Sequence, residues 1–346
     1  MKEKVKSLFF FILKLGIAGA AVWFLLLRNP EEIFNCIKEI KPGYVAAAAA
    51  VYFTHMLVGS WRWWRLARML NVELGIWEAV SLNLQGYFFS LVIPGGAIGG
   101  DVVKMGVISK RSRSGEKLEG VFTILMDRIT GMIALFSMAL ILIPLTLPVL
   151  LNVRIPGLPE SREIQILLIP GVALLCLSGI AASGVIFFHN QLAKVPLFRN
   201  LIQLGDKLTH GMVQRMTAAA DVYSAKWKEL LLLIIAGVFG VHTLTILPVC
   251  LLLTGLGAEY HILTVFIAAV IGNIAGLIPL FPAGVGGRDV ITILILTAGG
   301  VAAADAKTAQ LIYTAILLIV CIADGLCFVF DRGRKTQIQP EQNGNF

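Results

Sequence analysis

Charged residues are scarce in this sequence, and that scarcity excludes most soluble folds. Asp, Glu, Lys and Arg make up 14% of 346 residues, against roughly a quarter in soluble domains. Hydrophobic residues reach 57% and mean hydropathy is +0.83, more apolar surface than a water-soluble core could hide. Cysteine is sparse too. Five cysteines form no disulfide framework; Cys176, Cys250, Cys321 and Cys327 lie in apolar runs without metal-site spacing and read as small packing residues. The five histidines are scattered, with no metalloprotease-type cluster. With no metal-site spacing, neither a metal nor another cofactor is expected, and no nucleotide-binding motif occurs.

What remains is apolar sequence in long runs. Crossing a bilayer core takes about 20 helical residues, and lipid offers the backbone no hydrogen-bond partner, so helices are the spanning element. The runs do not alternate as barrel strands would. They predict full spans over 7–27, 44–61, 120–147, 164–188, 229–254 and 308–330. Ser7–Leu27 lacks a small-residue cleavage site before Arg28-Asn29-Pro30 and reads as a retained helix interrupted by Lys14. Two further apolar stretches, 79–100 and 263–300, are broken by Gly and Pro.

Basic loops set the orientation. Lys2, Lys4 and Lys6 precede the first span, and Arg62, Arg65 and Arg68 follow the second. Lys104, Lys110, Arg111, Arg113 and Lys117 separate the first broken stretch from the third span, and Arg332, Arg334 and Lys335 follow the last. With these inside, both termini of a multi-pass cell-membrane protein are cytoplasmic. The count closes if 79–100 enters and leaves from the cytoplasm and 263–300 from the outer face. If each broken stretch crosses fully instead, strongly basic loops fall outside.

The expected fold is therefore an all-α polytopic membrane protein with six full spans plus two oppositely inserted re-entrant helical hairpins. Its inverted-repeat architecture forms a single integral-membrane domain over 1–346. The first half is about 1–150 with its break at 94–101, and the second about 160–330 with its break at 282–289. A cytoplasmic amphipathic segment lies at 190–228 and a cytoplasmic tail at 331–346. In the former, Leu201, Leu204, Leu208, Met212 and Met216 recur at helical spacing, which predicts a helix on the membrane surface or one packed beneath the bundle. The basic residues track the membrane flanks, so the net charge of +8 suits anionic headgroups and not nucleic acid. Trp61-Arg62-Trp63-Trp64-Arg65 reads as an interfacial anchor.

The two breaks match. PGGAIGGD (94–101) and PAGVGGRD (282–289) each place Pro first, Gly two and five later, and Asp seven later. The positions are Pro94, Gly96, Gly99 and Asp101 in one, and Pro282, Gly284, Gly287 and Asp289 in the other. An Asn precedes each, Asn83 and Asn273. Proline breaks a helix and glycine permits a sharp turn. Irregular backbone survives at membrane depth only when buried in protein or lining a wet cavity, and matched interruptions in two halves point to a transporter's binding site. Tight turns between packed helices are the plain alternative. Charges flank both breaks: Asp101 and Lys104 at i, i+3 spacing, and Arg288 beside Asp289. Asp127 and Arg128 open the third span, where they pair with each other or mark the interface, and Asp324 lies inside the last. Arg288 is the cation most readily assigned to an anionic ligand, unless it pairs with Asp289 or across the repeat with Asp101.

The run Asn83…PGGAIGGDVVK, then MDRITG (126–131), then PAGVGGRD resembles the lysylphosphatidylglycerol synthase transmembrane (flippase-like) family over about residues 7 to 330. In bifunctional relatives this region moves an aminoacylated phospholipid between leaflets while a soluble domain makes it. The sequence stops at Phe346 without that aminoacyl-transferase domain, so lipid synthesis is not expected. The resemblance implies that Asp101, Lys104, Asp127, Arg128 and Arg288 belong to the family's polar centre. Lys104 and Asp289 stand where the resemblance implies Arg and Glu, and Lys loses bidentate phosphate geometry.

Together these readings predict a lipid translocase. An anionic or phosphate-bearing lipid would enter a polar cavity between the hairpins, with Arg288, Lys104 and Arg128 neutralising phosphate and Asp101 and Asp289 orienting those cations. With no nucleotide-binding motif, any energy source would be a gradient or downhill lipid flux. The alternatives are an integral-membrane enzyme acting on a lipid-linked polyprenyl phosphate, with Asp101 and Asp127 as acid/base groups, or an accessory subunit that recruits a lipid-modifying enzyme through residues 102–118.

Overall fold

The computed structural model describes residues 30–93, 97–111, 117–154, 162–196, 199, 211–278 and 284–331. Among these the chain is helical with no strand, as the absence of period-two alternation requires. In chain order the helices used below are α1 (Pro30–Glu39), α2 (Pro42–Met69), α3 (Ile76–Val92), α4 (Ala97–Arg111) and α5 (Lys117–Leu145). They continue as α6 (Arg162–Phe187), α7 (Met212–Ala225), α8 (Trp227–Leu256), α9 (Ile262–Gly276), α10 (Gly287–Ala298) and α11 (Ala303–Asp331). Five helices are long and apolar enough to cross a membrane: Pro42–Met69, Leu118–Leu145, Ile166–Phe187, Trp227–Leu256 and Ala303–Gly325. They match five of the six expected spans. The expected span at 7–27 and the tail at 332–346 lie outside the described residues.

Local signals set the helix ends. Pro42 occupies the first turn of α2 after extended Lys41, where a missing N–H costs nothing. Gly257 closes α8 in the left-handed conformation, and the N–H groups of Gly257 and Ala258 return to Thr254 and Leu253 carbonyls. Within α8 the residues Gly237–His242 form a π-helical turn. Helix α2 continues eight residues past its expected end at 61, because Trp61–Met69 contains no breaker and buries Trp63, Leu66, Ala67 and Met69.

Each break joins two short helices packed against one another, α3 with α4 and α9 with α10. They have 17, 15, 15 and 12 residues, so at about 1.5 Å per residue none reaches the roughly 30 Å of a hydrocarbon core. Close approach depends on glycine. A Cβ on Gly100 would lie 2.0 Å from the Gly86 carbonyl oxygen, and one on Gly272 would lie 2.2 Å from Thr292 Oγ1. In the second break Gly284 and Gly286 hold φ of +76° and +95°, which L side chains rarely adopt. Gly287 simply opens α10 with no positive φ, and Gly99 leaves room for Ile93, whose Cβ would meet an added methyl at 2.9 Å. Pro94, Gly96 and Pro282 lie outside the described residues.

The largest core cluster gathers α2, α5, α8, α9, α10 and α11 around Met56, Leu135, Ile246, Leu253, Val270 and Leu296. A second cluster seats α7 beneath α2 and α5 through Ala219, Ala220 and Tyr223 against Leu66 and Met126. Tyr223 donates to the Leu66 carbonyl at 2.9 Å, and Lys226 donates to the Met69 carbonyl at 3.0 Å, satisfying the C-terminal end of α2. Residues 212–225 thus pack under the bundle; Leu201, Leu204 and Leu208 lie outside the described residues.

Gly100→Ala and Gly272→Ala should each lower thermal stability in detergent, by about 1–3 kcal/mol if overpacking sets the cost. Gly106→Ala in α4, where an added methyl meets nothing within 4 Å, should be neutral or raise stability by about 0.5–1 kcal/mol.

Candidate functional site

Four helices bring the first group of charges together. Asp101 on α4 is spanned by Arg128 of α5, whose Nε and Nη2 donate to Oδ2 and Oδ1 at 2.5 and 2.8 Å. Lys104, one turn after Asp101 on α4, lies 3.4 Å from the same Oδ1. It also donates to Asn83 Oδ1 on α3 at 3.2 Å, and its ammonium sits 4.8 Å from the Trp63 ring centroid. The stem of Lys104 passes over Gly86, where a Cβ would come within 3.2 Å. Asn83 in turn donates to Ser60 of α2 at 3.0 Å. The Lys104–Asn83 contact is available because α3 and α4 meet at Gly86 and Gly100.

Asp127 does not pair with its neighbour Arg128. Adjacent helix residues point some 100° apart, so Asp127 turns to α2 while Arg128 turns to α4. Arg62 Nε donates to Asp127 Oδ1 at 2.9 Å, and Nη2 reaches the Asp127 carbonyl at 3.2 Å. Arg62 and Trp63 were read as an interfacial anchor, but the structure buries them at 5% and 0% exposure. Trp63 Nε1 donates to Thr123 of α5 at 3.1 Å. Their membership was legible in helical spacing: Tyr52, Met56, Gly59 and Trp63 step along one face, with Arg62 beside it.

The second centre is built on α10 and α11. Arg288 Nε and Nη2 donate to Asp289 Oδ1 at 3.0 and 2.8 Å, and Nη2 also donates to Thr314 at 2.9 Å. Gln310 and Thr314 donate to the same Oδ1 at 2.8 and 3.0 Å. Oδ2 accepts the Gly286 N–H at 2.9 Å, so Asp289 also caps its own helix. Arg288 lies 4.8 Å over the Tyr313 ring. Arg288 therefore pairs within its own half and not with Asp101. Asn273 on α9 is half-buried and has no hydrogen-bond partner among the described residues, unlike Asn83.

Aromatic rings run from one centre to the other. Tyr313 meets Tyr52 edge-on at 5.7 Å, Tyr52 meets His55 at 5.6 Å, and His55 meets Tyr87 at 6.3 Å. Tyr87 sits one turn after Asn83 on α3, beside Arg128, Asp127 and Arg62. These four residues were absent from the sequence-based site, since single aromatic residues in apolar helices carry no distinctive spacing.

The centres differ in charge. Arg62, Lys104 and Arg128 face Asp101 and Asp127, so among the described residues one positive charge is uncompensated, whereas Arg288 and Asp289 balance. Position 104 explains the difference, because the residue three after Asp289 is Thr292, which bonds to backbone carbonyls. Exposure also differs: the Arg128 side chain is 42% exposed, while those of Lys104 and Arg288 are 3% and 7% exposed. No cluster of three His, Cys, Asp or Glu suited to a metal occurs among the described residues. A cleft of about 650 Å³ between α1, α2 and α11, lined by Ile37, Ile40, Val45 and Ile316 with Lys38, lies apart from both centres.

Removing one member of a buried pair strands the other. Asp127→Asn or Arg62→Met alone should cost about 3–5 kcal/mol of stability, whereas Arg62→Met with Asp127→Leu should recover most of it. Thermal unfolding of the purified protein reads the difference; a double variant as unstable as the sum of the singles would contradict the pairing.

A family model described as the lysylphosphatidylglycerol synthase TM region matches residues 11–325. A UPF0104 membrane protein of Methanothermobacter thermautotrophicus is 22% identical over 327 residues, covering 92% of this chain and 94% of the relative. The match encloses both hairpins, both charge centres and the five long apolar helices, and the chain is a membrane protein belonging to the lysylphosphatidylglycerol synthase TM region family.

Proposed function

We propose that the protein moves an anionic or phosphate-bearing lipid between membrane leaflets. The observation that carries this reading is the first centre, where three cations outnumber two carboxylates and Arg128 alone is substantially exposed. An uncompensated positive charge inside apolar helices is costly, and an anion arriving at Arg128 relieves it. A phosphate accepts two parallel N–H bonds from a guanidinium, so it competes with Asp101 for the geometry that Asp101 now holds. The apolar face of α4 beside it, with Ile98 and Val102 61% and 58% exposed, leaves acyl chains a lipid-like wall.

On this reading the hairpins α3–α4 and α9–α10 enter the bilayer from opposite faces, both termini are cytoplasmic, and rocking of the two halves alternates the exposure of Arg128. Membrane lipids are the partner. Each carboxylate of the first centre already accepts from a guanidinium, which favours positioning over acid/base work and ranks translocation above lipid modification.

Reconstitution into liposomes with leaflet-resolved fluorescent phosphatidylglycerol tests the proposal. Wild-type protein should move the lipid, and Arg128→Gln should slow it by about tenfold or more, the worth of a charge-assisted bond of roughly 1.5–3 kcal/mol. Lys104→Met should slow it as well, while Lys110→Met, on an exposed part of α4, should not. No movement by wild-type protein, with product formed from an added donor, would establish the enzyme instead. Neither result, with co-purification of an enzyme, would indicate the accessory role.

A further inference from the structure

Asp324 belongs to neither centre. It lies on the inward side of α11 at 4% exposure, whereas Ile319 and Ile322 of the same helix face outward at 67% and 52%. Its Oδ2 is wholly buried and has no hydrogen-bond partner among the described residues. Helices α1, α2, α3, α8 and α10 pack on α11. From these, Arg288 of α10 acts on Cys321, one turn before Asp324, but no described charged group from any of them acts on Asp324 itself. A carboxylate anion so placed has no counter-charge among the described residues, and in an apolar setting of that kind the neutral carboxylic acid is the favoured form. A sodium ion would need several oxygen ligands, and the described residues gather no group of three His, Cys, Asp or Glu there.

The next residue marks where the first hairpin touches α11. A Cβ on Gly325 would lie 2.4 Å from the Phe88 ring of α3, so the two helices meet without a gap beside Asp324. Helix α3 also carries Asn83 and Tyr87 of the first centre. Movement of the hairpin that changes access to Arg128 therefore opens or closes the seam beside the buried acid.

We propose that Asp324 is a proton-binding site whose occupancy is tied to the position of the α3–α4 hairpin. The carboxyl group keeps its proton while Phe88 seats against Gly325. When the seam opens, the O–H bond breaks, the proton passes to entering water and the electron pair stays on the carboxylate. The link to lipid movement rests on the translocase reading above; the proton site does not.

Two measurements on the full chain separate these. Infrared difference spectra against pH, taken in detergent, should show the carbonyl stretch of a protonated carboxyl that Asp324→Asn lacks and Asp324→Glu retains at a shifted position. In proteoliposomes of phosphatidylethanolamine and phosphatidylglycerol, an imposed pH gradient should change wild-type movement of fluorescent phosphatidylglycerol several-fold. Asp324→Asn should not respond, and Asp324→Glu should respond in part, serving also where the Asn variant does not fold. Absence of the wild-type band overturns the proposal. So does a response to a sodium gradient alone, or a full pH response in Asp324→Asn. If neither protein moves lipid while the band titrates and vanishes in the variant, the translocase reading fails and the proton site stands.

Discussion

The cost of an unbalanced charge in an apolar bundle is the constraint on which this structure depends. Desolvating one ion costs several kcal/mol even after relaxation, so a buried carboxylate that stays ionised must find a cation and hydrogen bonds that recover that loss. Asp101 finds Arg128 and Lys104, Asp127 finds Arg62, and Asp289 finds Arg288 with Gln310 and Thr314. Each pair joins different helices or fixes a helix start. Meeting the requirement therefore dictates which helices are neighbours: α2 with α5, α4 with α5, and α10 with α11.

Glycine makes those pairings reachable. The α3–α4 crossing at Gly86 and Gly100 brings Lys104 across α3 toward Asn83 and Trp63. At Gly272 the α9 backbone leaves room for Thr292, which ties α10 to the Ala268 carbonyl. With bulkier residues the hairpins would separate, and a Lys stem of fixed length could not span the gap. Glycines in and around the two octamers thus set short distances between helices.

Those distances bear on what was legible in the sequence. Five long apolar helices follow from run length, since nothing else crosses a hydrocarbon core, and Asp101, Lys104 and Arg288 stand out because charge is rare in such runs. Asp101 with Lys104 and Arg288 with Asp289 were legible as neighbours on one helix, but partners on other helices were not, because pairing depends on which helix faces lie together. Arg62 carried a plausible interfacial role in a Trp-rich run, and only the continuation of α2 to Met69 turned it inward to Asp127. The matched asparagines are alike in placement but not in contacts: among the described residues Asn83 accepts from Lys104, and the Asn273 side chain has no such partner. Tyr52, His55, Tyr87 and Tyr313 became visible only when three helices met.

The asymmetry of the two centres bears on how matched halves divide one task. Their octamers agree at proline, glycine and aspartate, so the backbone device is shared, yet position 104 carries an ammonium where its counterpart, 292, carries a hydroxyl. That difference gives one half a surplus positive charge and the other none. A neutral centre with both acid oxygens occupied and Arg288 bonded to Asp289 and Thr314 has no unmet demand for an anion. It suits a fixed joint between α10 and α11. The surplus centre, open at Arg128, on the proposed reading holds Asp101 in the place a phosphate would take and exchanges one for the other. On the proposed reading the repeats are therefore alike in mechanics and unlike in chemistry: one half binds, and the other supplies the frame against which it moves.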